Sequence, residues 1–196
     1  MAVDQRTLYR PMVGDRLDEV TISEIITSSL IGQDSASYLK RIYNTLIDVC
    51  IKRKIVSTPR ELQIRAVMPV GDLAMANETF WLPAQTAAAW TNMITNRTVL
   101  GNQVMMFYGA ATDIPTTDIS ALHFQEGTGG VATRAQFQIE SIYSEESGLF
   151  FFQKPVIYYQ DDVLSIRTYS RATFAANLYR FALKAVVGEP ATFKML

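Results

Sequence analysis

Cysteine and histidine are almost missing from this chain: its 196 residues hold one of each, Cys50 and His123. A lone cysteine excludes an intrachain disulfide. A structural zinc site built from Cys and His needs four ligands, so one chain cannot supply it. A Ser-His-Asp triad could draw only on His123, and no Gly-x-Ser-x-Gly elbow offers the serine. Charge is sparse as well. Asp, Glu, Lys and Arg make up 19% of the residues and the formal net charge is −1. Nucleic-acid binding needs a basic footprint that this balance does not give. No stretch approaches the run of about 18 apolar residues that a transmembrane helix requires. The opening Met1-Ala2-Val3-Asp4-Gln5-Arg6 has no apolar leader core, so export by a signal peptide is not expected.

What is present is apolar and aromatic. Hydrophobic residues reach 48%, enough to bury a sizeable core. Residues 1–19 read as a polar arm. Thr21-Ile22-Ser23-Glu24 matches a capping box and predicts a short helix ending near Gly32. The clearest helical signal follows. Leu39, Ile42, Tyr43, Leu46, Ile47 and Cys50 recur at helical spacing, with Asp34 or Ser35 as cap and Lys52, Arg53 and Lys54 at the cationic end. Pro59 stops the helix.

From Glu61 the period changes to two. Strands are predicted over 61–66, 78–82, 103–108, 119–124, 133–143, 149–152, 156–159, 163–169 and 177–187, with turns at 69–72, 126–130, 145–148 and 161–162. Pro155 is expected to break the pairing between 152 and 156. Residues 84–95 are ambiguous: Ala87-Ala88-Ala89-Trp90 favours a helical turn, Thr91 and Ile94 oppose it. Short strands with regular turns predict a mainly β fold: an antiparallel β-sandwich or jelly roll with an N-terminal helical segment. The expected division is 1–58 for the arm and two helices, and 59–196 for the β body.

The features that could carry chemistry read more simply as structure. His123 lies within a strand, and Cys50 lies on the apolar helix face, where a thiol is inert. Gly127 to Gly130 lead into a strand rather than a helix, so they form a hairpin tip and not a phosphate loop. Asp161-Asp162 and Glu145-Glu146 are adjacent pairs, whose carboxylates point apart on a strand. No Asp-x-Asp-x-Asp calcium loop occurs. No catalytic, metal-binding or cofactor-binding residue is assigned, no cofactor is expected, and the chain is read as a non-enzyme.

The aromatics remain. Phe150-Phe151-Phe152 and Tyr158-Tyr159 place rings on both faces of their strands, so both faces need cover. That cover is either a second sheet, the N-terminal helices or another subunit. Leu39, Ile42, Tyr43 and Leu46 of the helix, with Phe150, Phe151, Phe152, Tyr158 and Tyr159, are the candidate interface.

The stretches Ala121-Leu122-His123-Phe124, Phe152-Gln153-Lys154-Pro155-Val156-Ile157-Tyr158-Tyr159 and Val163-Leu164-Ser165-Ile166-Arg167-Thr168-Tyr169 resemble β-sandwich proteins of virus particles: tailed-phage head-decoration, minor capsid and jelly-roll coat proteins. The resemblance covers the last two thirds of the chain. It rests on short strands, Thr/Ala/Asn/Gln-rich loops and few charges, not on a diagnostic motif. It implies a virion protein made in the host cytoplasm. Its partners would be copies of itself or a major capsid protein, and an arm or helix would lock onto a neighbour. The alternative is a lectin-like module in which Trp81 or Trp90 stacks on a sugar. An enzyme site around His123 and Asp161 or Asp162 has no motif behind it.

Overall fold

The computed structural model describes residues 12–13, 33–112, 118–139 and 149–191. The order is β1 (Met12–Val13), α1 (Gln33–Lys52), a 3-10 turn (Pro59–Glu61), β2 (Leu62–Ala66), α2 (Pro69–Leu73), β3 (Ala89–Thr98), β4 (Val104–Thr112), β5 (Ile119–Glu126), β6 (Ala132–Gln138), β7 (Leu149–Tyr158), β8 (Val163–Ser170) and β9 (Phe181–Pro190). Among the described residues the strands form two antiparallel sheets, ordered β1-β2-β9-β4-β7 and β3-β8-β5-β6. The fold is the β-sandwich with an N-terminal helix that the alternation predicts. By compactness the chain divides in two: residues 1–66, 102–104 and 186–196 form one unit, and residues 67–101 and 105–185 the other.

In the first unit, α1 buries Leu39, Ile42, Leu46, Ile47 and Cys50, the stripe that recurs at helical spacing. Each large apolar side chain so covered contributes about 1.5–3 kcal/mol. Leu46 and Cys50 meet β9 at Gly188, which is in register with Ile64 of β2. On the same pair of strands Glu189 accepts from Arg65 at 2.8 and 3.2 Å and from Gln103 at 2.6 Å, which neutralises it.

In the second unit the two layers of the sandwich are joined by aromatic rings. Phe124 of β5 sits 5.3 Å from Phe107 of β4 and 5.7 Å from Phe152 of β7. Phe137 of β6 stacks on Phe152 at 4.2 Å. The Tyr158 hydroxyl, buried among these rings, donates to the Gln125 carbonyl at 2.9 Å. Arg134 closes one end. It pairs with Glu126 at 2.8 Å and Asp162 at 2.9 Å, lies over the Tyr158 ring, and donates to the Ile157 carbonyl.

Residues 84–95, left open by the sequence, resolve to a turn and a strand, and several local expectations are corrected. Residues 84–95 hold no helical turn. Ala87 and Ala88 make a tight turn, Ala88 at φ 55°, and β3 starts at Ala89. The ladder with β8 and the strand preference of Trp90, Thr91 and Ile94 outweigh the few tenths of a kcal/mol that each alanine offers a helix. Residues 69–72 form the short helix α2 rather than a turn, started by Pro69 and capped by Asp72, which accepts from the Met68 amide at 2.7 Å. Residues 78–82 are not a strand; Trp81 makes only an isolated bridge to Arg180. Strand β9 begins at Phe181, because Asn177 takes a left-handed turn at φ 60°. Strand β7 runs through Pro155 unbroken, though its pairing with β4 shifts there, from Phe107↔Val156 to Gly109↔Phe151. Such a bulge is where a strand tolerates proline. The expected helix near 21–30, the turn at 145–148, the strand end at 140–143 and most of the arm lie outside the described residues.

Candidate ligand-binding face

The outward face of the β3-β8-β5-β6 sheet is a grid of side chains set by register. One row reads Trp90, Tyr169, Ala121, Gln138 across the four strands. The next reads Asn92, Arg167, His123, Gln136. The alternation of the strands turns Leu122, Phe124, Leu164 and Ile166 inward to the core, where all four are buried. Its counterpart lifts these two rows outward.

The first row makes a hollow. Ala121 is the smallest side chain in it and stands between the two rings and the amide of Gln138. An open cleft of about 520 Å³ results, with Ser120, Gln136 and Arg171 also on its walls. The size suits a small ligand. Trp90 and Tyr169 meet edge-on, with ring centroids 5.4 Å apart, and Trp90 and His123 are tilted at the same separation. The Arg167 guanidinium lies 6.0 Å from the Trp90 ring centre.

Trp90 is held from its N-terminal side. Gln85 exchanges backbone hydrogen bonds with Phe174 at 3.0 and 3.2 Å, and Thr168 donates to the Gln85 side chain at 3.3 Å. The Ala87 amide donates to Thr173 Oγ1 at 3.0 Å and the Ala88 amide to the Ser170 carbonyl at 2.8 Å. The chain thus enters β3 on a fixed path, which sets Trp90 in its register with Tyr169.

His123 Nε2 is 2.9 Å from Thr133 Oγ1. Burial first, and the Arg167 charge second, hold its pKa below the usual histidine value, which keeps the ring neutral near pH 7. The two carboxylates of residues 161 and 162 do not join it: Asp162 is engaged by Arg134 and by the Tyr159 amide at 2.8 Å, and the Asp161 side chain lies by Gly101. Among the described residues no three His, Cys, Asp or Glu side chains group as a metal site would need, and no helix is long and apolar enough to cross a membrane.

The candidate interface residues lie elsewhere. Leu39, Ile42 and Leu46 are buried within the chain, and Tyr43 is largely covered, its phenol pushed up to about 12 by that burial. Phe152 and Tyr158 are buried in the sandwich core. Phe151 and Tyr159 are partly exposed, and Phe151 stacks on Tyr108 at 6.3 Å. The Phe150 side chain is outside the described residues. Of the two tryptophans, Trp90 stands in the grid; Trp81 stands apart, with Arg180 5.9 Å from its ring centre. Sequence reasoning misses Tyr169 and Gln138 as members of the face. The alternation of Gln136 and Gln138 against Phe137 marks an outward face, but nothing local to one strand shows which side chains of the other three strands share it.

No family model matches the chain, and no curated protein matches it. Among solved structures the chain is similar to the C-terminal CBM6 of LamC, a marine laminarinase from Zobellia galactanivorans. The identity is 9%, the match covers 64% of this chain and 98% of that one, and the TM-score is 0.32. A likeness of that degree carries no functional inference.

Proposed function

We propose that this chain is a non-catalytic binding protein that holds a carbohydrate on the outward face of the β3-β8-β5-β6 sheet. The observation that carries the reading is the row Trp90-Tyr169-Ala121-Gln138, with its open cleft of about 520 Å³. Aromatic rings at the surface offer an apolar platform with polar edges, which matches the C–H faces of a sugar ring. Amides offer both donors and acceptors, which hydroxyl groups require. A buried core cluster would show neither the exposure nor the interleaved amides. Gel retardation on a panel of soluble polysaccharides tests this. Retardation by at least one polysaccharide, lost in Trp90→Ala with the fold intact, is expected. A panel that retards nothing overturns it.

A second reading, assembly into a virus-type particle with copies of itself or a capsid protein, has one observation behind it. Tyr108 and Phe151 stack on the side of β4 and β7 opposite the buried Phe107 and Phe152, and both are partly exposed. The helix residues that this reading would use, Leu39, Ile42 and Leu46, are covered within the chain. Light scattering over a concentration series distinguishes the two: growth into regular oligomers, lost in Phe151→Ser, supports assembly, and a constant monomer mass opposes it.

A further inference from the structure

Among the described residues, the second row of the face holds a cation that no carboxylate balances. Arg65 is matched by Glu189, and Arg134 by Glu126 and Asp162. Arg167 has no ion-pair partner among the described residues, and its Nε is buried without a hydrogen-bond partner there. Its neighbours in the row are Asn92 and His123, and Trp90 lies beside it. Among the described residues, no carboxylate lines the cleft next to it. A guanidinium fork takes a planar or tetrahedral oxyanion best.

We propose, building on the carbohydrate-binding reading, that the face recognises an anionic saccharide: one ring packs on Trp90 and Tyr169, and its acidic group is taken by Arg167. Neutral sugars would find the same platform but offer no charge to Arg167. The two rows lie two residues apart along each strand, roughly 7 Å, which sets the distance between the stacked ring and the anion.

The test is calorimetric titration of the full chain with three probes: an oligouronate, a sulfated oligosaccharide and a neutral β-glucan oligosaccharide of similar length. At least one acidic probe is expected to bind roughly ten-fold or more tightly than the neutral one, and to weaken as salt rises. The two acidic arms tell a carboxylate from a sulfate. Arg167→Gln should weaken acidic binding several-fold more than neutral binding, and Arg167→Lys should keep part of the preference, since the point charge survives and the fork does not. Neutral binding as tight as acidic binding, or an equal loss of both in Arg167→Gln, overturns the inference but leaves the carbohydrate reading standing. Binding of none of the three, with the fold intact by circular dichroism, overturns the inference; if a wider polysaccharide panel is silent too, the reading beneath it falls as well.

Discussion

Gly188 of β9 lies so close to Cys50 of α1 that a Cβ at position 188 would fall 2.6 Å from the cysteine sulfur and 3.3 Å from Leu46 Cγ. The helix can rest on the sheet only because glycine stands there. Gly188→Ala should therefore destabilise the chain by about 1–3 kcal/mol, the usual cost of overpacking. Cys50→Ala in the same chain should return part of that loss, because it removes the nearer of the two atoms. Urea unfolding of the two single variants and the double variant measures it; simple additivity would contradict the contact.

The same packing protects the thiol. Burial pushes Cys50 up to about 12, far from the pH at which a thiolate forms readily. The native chain should not react with a disulfide reagent at pH 8, and it should react fully once denaturant exposes α1. Fast labelling of the native chain would mean that α1 is not docked on β9.

Arg134 holds two carboxylates and two rings at one end of the sandwich. Arg134→Met should cost about 1–3 kcal/mol, because Glu126, Asp162 and the Ile157 carbonyl lose a partly buried donor together. Tyr158→Phe should cost about 1 kcal/mol through the Gln125 carbonyl alone. A loss from Arg134→Met no larger than that from Tyr158→Phe would mean that the arginine is solvated rather than bridging.

His123 gives a pH signature. Its pKa in the folded chain lies below its unfolded value, so as pH falls through the usual histidine range the unfolded state takes up the proton first. Its contribution is thus neutral above that range and destabilising below it. The charged group facing it is Arg167 of β8; Trp90 of β3 and Thr133 of β6 are its other neighbours. His123→Gln should flatten that part of the pH–stability curve, with melting temperature from pH 7.5 to 5 as the readout. A bound anion would oppose Arg167, raise the His123 pKa and strengthen its own binding as pH falls through the same range.

How far these features are legible in the sequence depends on the range over which the information acts. The α1 stripe from Leu39 to Cys50 and the alternation in β5, β6 and β8 are local, and they announce themselves. The entry to β3 does not: Ala87 to Ala89 carry helix propensity, and only the ladder to β8 fixes them as turn and strand. Pro155 announces an interruption, and the shift in pairing against β4 shows where it falls, but the strand absorbs it as a bulge. The face itself is the extreme case. Trp90, Tyr169, Ala121 and Gln138 come from four strands far apart in the chain, and only the register between strands puts them in one row. Aromatic content alone points to Phe150, Phe151 and Phe152, of which Phe152 lies in the core.

The central claim is that Trp90 touches the ligand, and it can be read at that residue. Trp81 and Trp90 are the only tryptophans, so Trp81→Phe leaves Trp90 as the sole indole reporter. Titrating that variant with the saccharide that retards the native chain should shift and saturate the Trp90 emission at the same affinity as calorimetry gives. Binding by calorimetry with no change at Trp90 would contradict the account, because the sugar would then sit away from the row that defines the face.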